Sequence, residues 1–420
     1  MGMPIVDKIL ARHAGHDRVR PGDIVVCDVD MAIRLDIEFA AGMDVDAKRI
    51  ADPERVAIIL DHAVPAPTIA DAAEQGAARA FAKKFGIRRF YDVGRHGICH
   101  QVILENALAL PGQILACTDS HTIASGALNC AARGLGPIEM LQIVCTGKTW
   151  FRVSPTIRIE LEGEKPPAVF GKDVFLHLAS FGSAEGMNVE FGGAGVRSLT
   201  LDDRSTVATM CAEVSANFAT FPADEVVVDH VRRVTDAPFE PVWPDADAEY
   251  AEVRRIDLAA LRAQVALPDF VPGNTLPAAD VGDVAIDQAF VGSCANGKLE
   301  DLRVAAAVVA GRSIAPGVRF LVTPASQRVY REAVKRGYVE MLVDAGAVVT
   351  NSTCSACYGG HMGIVGPGET CITSSTRNFK GRMGSPDAKI YIGSSATVAA
   401  SAVAGKIVDP TPYLRDAGVK

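Results

Sequence analysis

In the last third of the chain DVAIDQAFVGS, GVRFLVTP, GAVVTNS, TCITSS and KIYIGS are strand-like runs, and helical stretches lie between several of them. That alternation narrows the fold more than any other feature. Parallel strands need long crossovers, which helices supply, so the pattern predicts a mostly parallel sheet with ligand sites in the crevice beyond the carboxyl ends of its strands. DLRVAAAVVAGR and SQRVYREAVKRGYVEMLVDAG are the strongest helices. Up to Arg152, helical stretches such as DAAEQGAARAFAKKFG alternate with short extended ones such as RRFYDVG, and glycine-rich turns hold most of the histidines. From PTIRIELEGEKPPAVFGKDVFLHLAS onward, a strand, a turn and an amphipathic helix open a second unit that runs into the helical TVATMCAEVSANFA. The acidic, proline-bearing DAPFEPVWPDADAEY reads as a surface excursion. The expected fold class is α/β, with units over residues 1–152, 153–280 and 281–420 and no repeat at a fixed period.

With 420 residues, 49% of them apolar, the chain can bury a large core. Its net charge of −8 and lack of long lysine or arginine runs argue against a nucleic-acid partner, because phosphate binding needs concentrated positive charge. No stretch approaches the roughly 18 consecutive apolar residues of a membrane span. The start MGMPIVDKIL lacks a basic segment followed by an apolar signal core, so the expected location is cytoplasmic.

Ten cysteines lie irregularly along the chain, which argues against a disulfide framework in a reducing compartment. Cys27, Cys130, Cys145 and Cys211 sit among alanines, valines and similar neighbours, where cysteine behaves as a small hydrophobe. The others of interest end strands. VGSC closes one with Cys294 and STCSAC another with Cys354 and Cys357, so these thiols leave the sheet on one side if the strands run parallel. The C-x-x-C pair alone also fits zinc or a redox dithiol, and Cys371 or His361 are candidates for a fourth zinc ligand. Cys371, however, lies inside TCITSS, where a core role is expected. Three thiolates on a four-iron cluster would leave one iron open as a Lewis acid, able to bind a carboxylate and a neighbouring hydroxyl.

Several strings together resemble the aconitase and isopropylmalate dehydratase family: GICHQVILEN, CTDSHTIASGAL, VGSCANGKLEDL, TCSACYGGHMGIVGPGETC and STRNFKGRMG. They come in the family order and span nearly the whole chain from DHAVPAP onward. The resemblance implies three α/β domains around a central cleft, with Cys294, Cys354 and Cys357 holding a [4Fe-4S] cluster. It also implies that Asp61 with His62, His100, and Asp119 with His121 surround an iron-bound hydroxyl, and that Glu213 bonds the iron-bound water. A carboxylate beside an imidazole raises its pKa and fixes its tautomer, which suits proton delivery. Arg377 and Arg382 match the family's carboxylate-binding arginines, a task for which the planar guanidinium fork is suited. Ser120 and Asn296 are expected to orient neighbouring groups.

Aconitases continue into a mobile domain with a serine base and a further substrate arginine, whereas this sequence stops at Lys420. Split members of the family supply that swivelling domain as a separate small subunit, so such a partner is implied. Thr209 and Thr376 stand where the family usually has asparagines, Ala295 replaces a common threonine, and Leu35 precedes Asp36 where aconitases have a polar substrate contact. These changes imply a substrate with an apolar end or fewer carboxylates than citrate. Isopropylmalate isomerisation leads, degradative hydration of maleate, citraconate or dimethylmalate follows, and a cluster-sensing RNA-binding or structural metal protein is the non-enzymatic alternative.

Overall fold

In the computed structural model, which describes residues 2–40 and 47–416, three parallel sheets carry the chain and share one strand order. In the first, Met31–Leu35 lies in the middle. Val56–Ile59 and then Arg89–Tyr91 flank it on one side, and Ile114–Cys117 and then Ala131–Gly134 on the other. The second sheet places Thr156–Glu162 between Asn188–Gly192 and Glu252–Asp257, with Ala219–Thr220 beyond Asn188–Gly192. In the third, Gln288–Val291 is central, Arg319–Val322 and Val348–Val349 lie on one side, and Thr370–Thr373 and Lys389–Gly393 on the other. Gln264–Ala266 and Thr275–Pro277 extend this sheet antiparallel, so it begins before residue 281. In every sheet the chain winds outward on one side and then returns to the other. That reversal opens a crevice at the carboxyl ends of the central strands.

The inner strands of the first sheet are largely apolar on both faces because both are covered. Met31–Leu35 and Val56–Ile59 are buried throughout, as expected of a covered parallel sheet. Alternate residues feed two different cores: Ala32, Val56 and Ile58 one, and Ile33, Leu35, Ala57 and Ile59 the other. Cys27, Cys130 and Cys211 are fully buried and Cys145 packs partly buried on the first of these cores, which matches the hydrophobe reading. Cys371 is buried within Thr370–Thr373.

Two sequence expectations change in detail. SQRVYREAVKRGYVEMLVDAG forms two helices, Gln327–Lys335 and Tyr338–Asp344, because Gly337 between them takes a left-handed conformation (φ +77°) that ends the first helix. DAPFEPVWPDADAEY is irregular as expected, but it is anchored: the Asn129 amide bonds both the N–H and the carbonyl of buried Val242. Among the described residues no helix is long and apolar enough to cross a membrane.

Candidate active site

At the crevice of the first sheet, three neighbouring strands end on acids or imidazoles. Met31–Leu35 runs into Asp36, Val56–Ile59 into Asp61 and His62, and Ile114–Cys117 into Asp119, Ser120 and His121. Buried Asp61 accepts the Cys99 N–H at 2.8 Å, which fixes the start of the helix Cys99–Glu105 and delivers the next residue, His100, to the crevice. His100 Nε2 lies 2.8 Å from Asp119 Oδ1. The same oxygen accepts the His121 N–H at 2.7 Å, and the His121 ring Nδ1 lies 3.4 Å away. Ser120 is exposed beside this group and makes no side-chain hydrogen bond among the described residues.

The third sheet supplies different chemistry from the same edge. Gln288–Val291 leads to Cys294, Val348–Val349 to Cys354 and Cys357, and Thr370–Thr373 to Thr376 and Arg377. These strands share one direction, so their ends emerge together. Ser293, just before Cys294, and Ser355, just after Cys354, both hold positive φ, +79° and +51°. Non-glycine residues there cost of order 1–3 kcal/mol each and cluster at functional sites. The Cys357 sulfur lies 4.0 Å from the Thr376 hydroxyl and 3.9 Å from Arg382 Nη2. Arg382 Nε and the Asn296 side-chain oxygen are buried without a partner, although the Asn296 amide N–H donates to Asp301 at 2.8 Å.

The two edges meet. The Cys354 thiol donates to Asp61 Oδ1 at 2.9 Å, Thr353 bonds the carbonyls of Asp61 and His62, and the His62 ring packs edge-on to Tyr358 at 5.4 Å. Donor atoms of Asp61, His62 and Cys354 lie within 4.8 Å of one another, a Cys/His grouping that can hold a metal. The second unit closes the ring. Helix Leu201–Met210, capped by Thr200, runs into the turn Cys211–Val214, where Glu213 accepts from His121 Nε2 at 2.8 Å and from Arg377 Nε at 2.9 Å.

Burial opposes charge throughout this site, and pairing decides each group. Burial would raise the Asp119 carboxyl, but hydrogen bonds from His100 and His121 hold it well below the usual range. Burial would lower His121, yet Cys294, Asp119 and Glu213 keep its imidazole well above the ordinary value. His100 is raised by Asp119 against the same burial. For His62, Asp61, Asp36 and Asp119 overcome burial and push the imidazole up to about 10. Glu213, which burial would raise, is lowered by His121 and Arg377. The Cys354 thiol moves the other way: burial, then Asp61 and the neighbouring Cys357 and Cys294, push it well up. Cys294 and Cys357 are therefore both close enough to Cys354 to act on it electrostatically.

Asp36 is a site residue that the sequence reading did not assign. It accepts the N–H groups of His62 at 3.0 Å and Ala63 at 3.3 Å and stands 3.4 Å from His62 Nδ1. Its signal was only its place after an apolar strand. The departures seen in sequence also acquire positions: Leu35 is buried in the core, the Thr209 hydroxyl is taken by the Ser205 carbonyl at 2.6 Å, and the Ala295 carbonyl accepts from Thr206 and Lys298.

The sequence profile of the aconitase family (aconitate hydratase) matches residues 38–283 and 271–405, which takes in Asp61, His62, His100, Asp119, His121, the Glu213 turn and the third-sheet cysteines. The chain belongs to the aconitase family. Within that family it is 59% identical over 410 residues to the 3-isopropylmalate dehydratase large subunit of Mycolicibacterium smegmatis, covering 97% of each chain. It is 42% identical to the probable 3-isopropylmalate dehydratase large subunit of Methanothermobacter thermautotrophicus, covering 98% of this chain and 99% of that one. The crystal structure of Thermococcus kodakaraensis aconitase X in its holo-form shares the aconitase fold, with TM-score 0.50, 14% identity and coverage of 91% and 93%.

Proposed function

We propose that the chain is the large, cluster-bearing subunit of a hydro-lyase that acts on 3-isopropylmalate. The observation that carries this reading is the junction itself: thiols from the third sheet meet imidazole–carboxylate pairs from the first, and Glu213 bridges the two. The residues fit a [4Fe-4S] group on Cys294, Cys354 and Cys357. Cys294 and Cys357 both act on Cys354, and nearby stand buried polar atoms without partners, namely His100 Nδ1, Asn296 Oδ1 and Arg382 Nε. When bound with three thiolates, such a cluster supplies a Lewis-acidic iron that polarises a carbon–oxygen bond.

The chain's own groups do the rest. His100 is anchored through Nε2 on Asp119 and presents Nδ1, from which a proton passes to the departing hydroxyl. His121 and Glu213 hold the water that results, and His62 is kept protonated by Asp61 and Asp36. Arg377 and Arg382 bind substrate carboxylates, with exposed Ser120 and buried Asn296 orienting neighbouring groups. Leu35 in the core and a Thr209 hydroxyl already engaged fit a substrate with an apolar branch. The carbon-bound proton is left to a separate small subunit, in keeping with the "large subunit" names of the relatives. A reducing cytoplasm suits the free thiols.

The test is anaerobic reconstitution with iron and sulfide, addition of the cognate small subunit, and turnover on 3-isopropylmalate, citrate, maleate, citraconate and dimethylmalate. Visible absorption and preference for 3-isopropylmalate are expected, with little activity from the chain alone. A colourless zinc-loaded protein, or a strong preference for citrate, would overturn the reading. Preference for an unsaturated diacid would instead assign it to degradative hydration.

A further inference from the structure

Lys172 is completely buried at the start of the helix Gly171–Ala179. Its ammonium has only neutral neighbours: Nζ donates to the carbonyls of Ser374 at 3.1 Å and Ser375 at 3.0 Å and lies 3.2 Å from the Met210 sulfur. Among the described residues no carboxylate stands within ion-pair distance of it. A buried charge left unpaired is strongly disfavoured, so its counter-charge needs to be found.

Each neighbour leads toward the candidate centre. The Ser374 hydroxyl accepts the Gly292 N–H at 3.1 Å and reaches the carbonyls of Gly292 and Asn296 at 3.3 Å, bracketing Cys294. Ser375 precedes Thr376, whose hydroxyl touches Cys357, and Arg377, which pairs with Glu213. Met210 leads directly into the turn that carries Glu213. The acidic groups acting on Lys172 are Cys294, Asp301 and Cys357, while the Lys298 ammonium opposes it. Asp301 is already engaged by Asn296, Ser395 and the Lys298 N–H, so the cysteine sulfurs remain.

We infer that Lys172 is the internal counter-cation of the cluster centre, a positioning residue whose charge favours the loaded over the empty site while its ammonium holds the loop that aims Arg377. The inference rests on the reading that Cys294, Cys354 and Cys357 bind a cluster. A core bound by three thiolates is net negative, and it supplies the charge that the surrounding protein does not. Burial, joined by the neighbouring Lys298 ammonium, outweighs Cys294, Asp301 and Cys357 and brings the Lys172 ammonium down to about 7.

The experiment compares Lys172→Met, Lys172→Gln and Lys172→Arg with wild type in the full chain, before and after reconstitution. Gln keeps a donor for the carbonyls without the charge, and Arg keeps the charge. Both neutral variants are expected to lose iron to a chelator about 10–100-fold faster and to show a more negative cluster midpoint potential. The arginine variant should stay near wild type, and the thermal midpoints of the neutral variants should fall more in the loaded protein than in the apoprotein. Equal destabilisation of loaded and empty protein, or failure of both neutral variants to fold without iron, would show a structural role only and overturn the inference. A wild-type chain that takes up no cluster sinks the function proposed above together with this inference. A loaded wild type beside neutral variants that retain iron equally well sinks the inference alone.

Discussion

The first and third sheets have the same strand order and turn the same edge toward the site, yet they bring opposite chemistry to it. One edge carries Asp36, Asp61, His62 and Asp119 with His121, and the other carries Cys294, Cys354, Cys357 and Arg377. Topology thus supplies an address, the crevice where the winding reverses, while the one to eight residues after each strand decide what is held there. If the division is real, damage to the third edge removes metal and damage to the first removes proton handling with the metal still in place.

The largest effect belongs to Cys354→Ser. Iron and sulfide content and visible absorption should collapse and turnover fall to background, and a variant that keeps its colour and activity would erase the distinction between the edges. Next, Asp119→Asn strips His100 and His121 of their shared partner. It should lower kcat by about 10²–10⁴-fold at unchanged iron content, and loss of iron instead would mean the first edge also maintains the cluster. Arg382→Lys keeps charge but loses the planar fork and should cut kcat/KM by about 10–100-fold, chiefly through KM for the hydroxy-acid.

Asp36→Asn should lower kcat by about tenfold. Because Asp36 helps hold the His62 proton up to about 10, its loss should also move the alkaline limb of the pH–rate profile to lower pH. An unmoved limb would mean His62 is not a proton carrier. The smallest effect comes from a residue outside both edges. Asp7, on the N-terminal helix Ile5–Ala14, is raised to about 7 by burial and then by the charge of Glu190. Its folded pKa lies above the unfolded one, so its stabilising contribution is present below about 4 and is lost as pH rises through about 7. Asp7→Asn should therefore leave Tm unchanged near pH 4 and raise it by about 2–4 °C at pH 8, with iron content and turnover unaltered at both.

What the sequence disclosed was local. Cys294 behind VGS and the pair in STCSAC could be read as strand-end thiols because motif and strand are adjacent in the chain. Alternation of strands and helices likewise revealed parallel sheets, but not their common order, since that depends on which side each crossover returns. Glu213 was reached only through the family resemblance; its partners His121 and Arg377 are 92 and 164 residues away, beyond any periodicity. Asp36 was hidden as a single acid after an apolar run, and Lys172 as an ordinary lysine opening an amphipathic helix. Gly337 is the converse case, a visible signal whose power to divide a long helical pattern was underweighted.

Glu213 sits on a turn that belongs to neither of the two edges, and it is hydrogen-bonded to both. The stretch from Asp36 to Arg382 must consequently have been synthesised and all three sheets docked before a metal could find its complete surroundings. On the function proposed above, iron uptake would come last in the biogenesis of the protein, and a brown colour in a purified preparation would report that the entire polypeptide, rather than one portion of it, has reached its native arrangement.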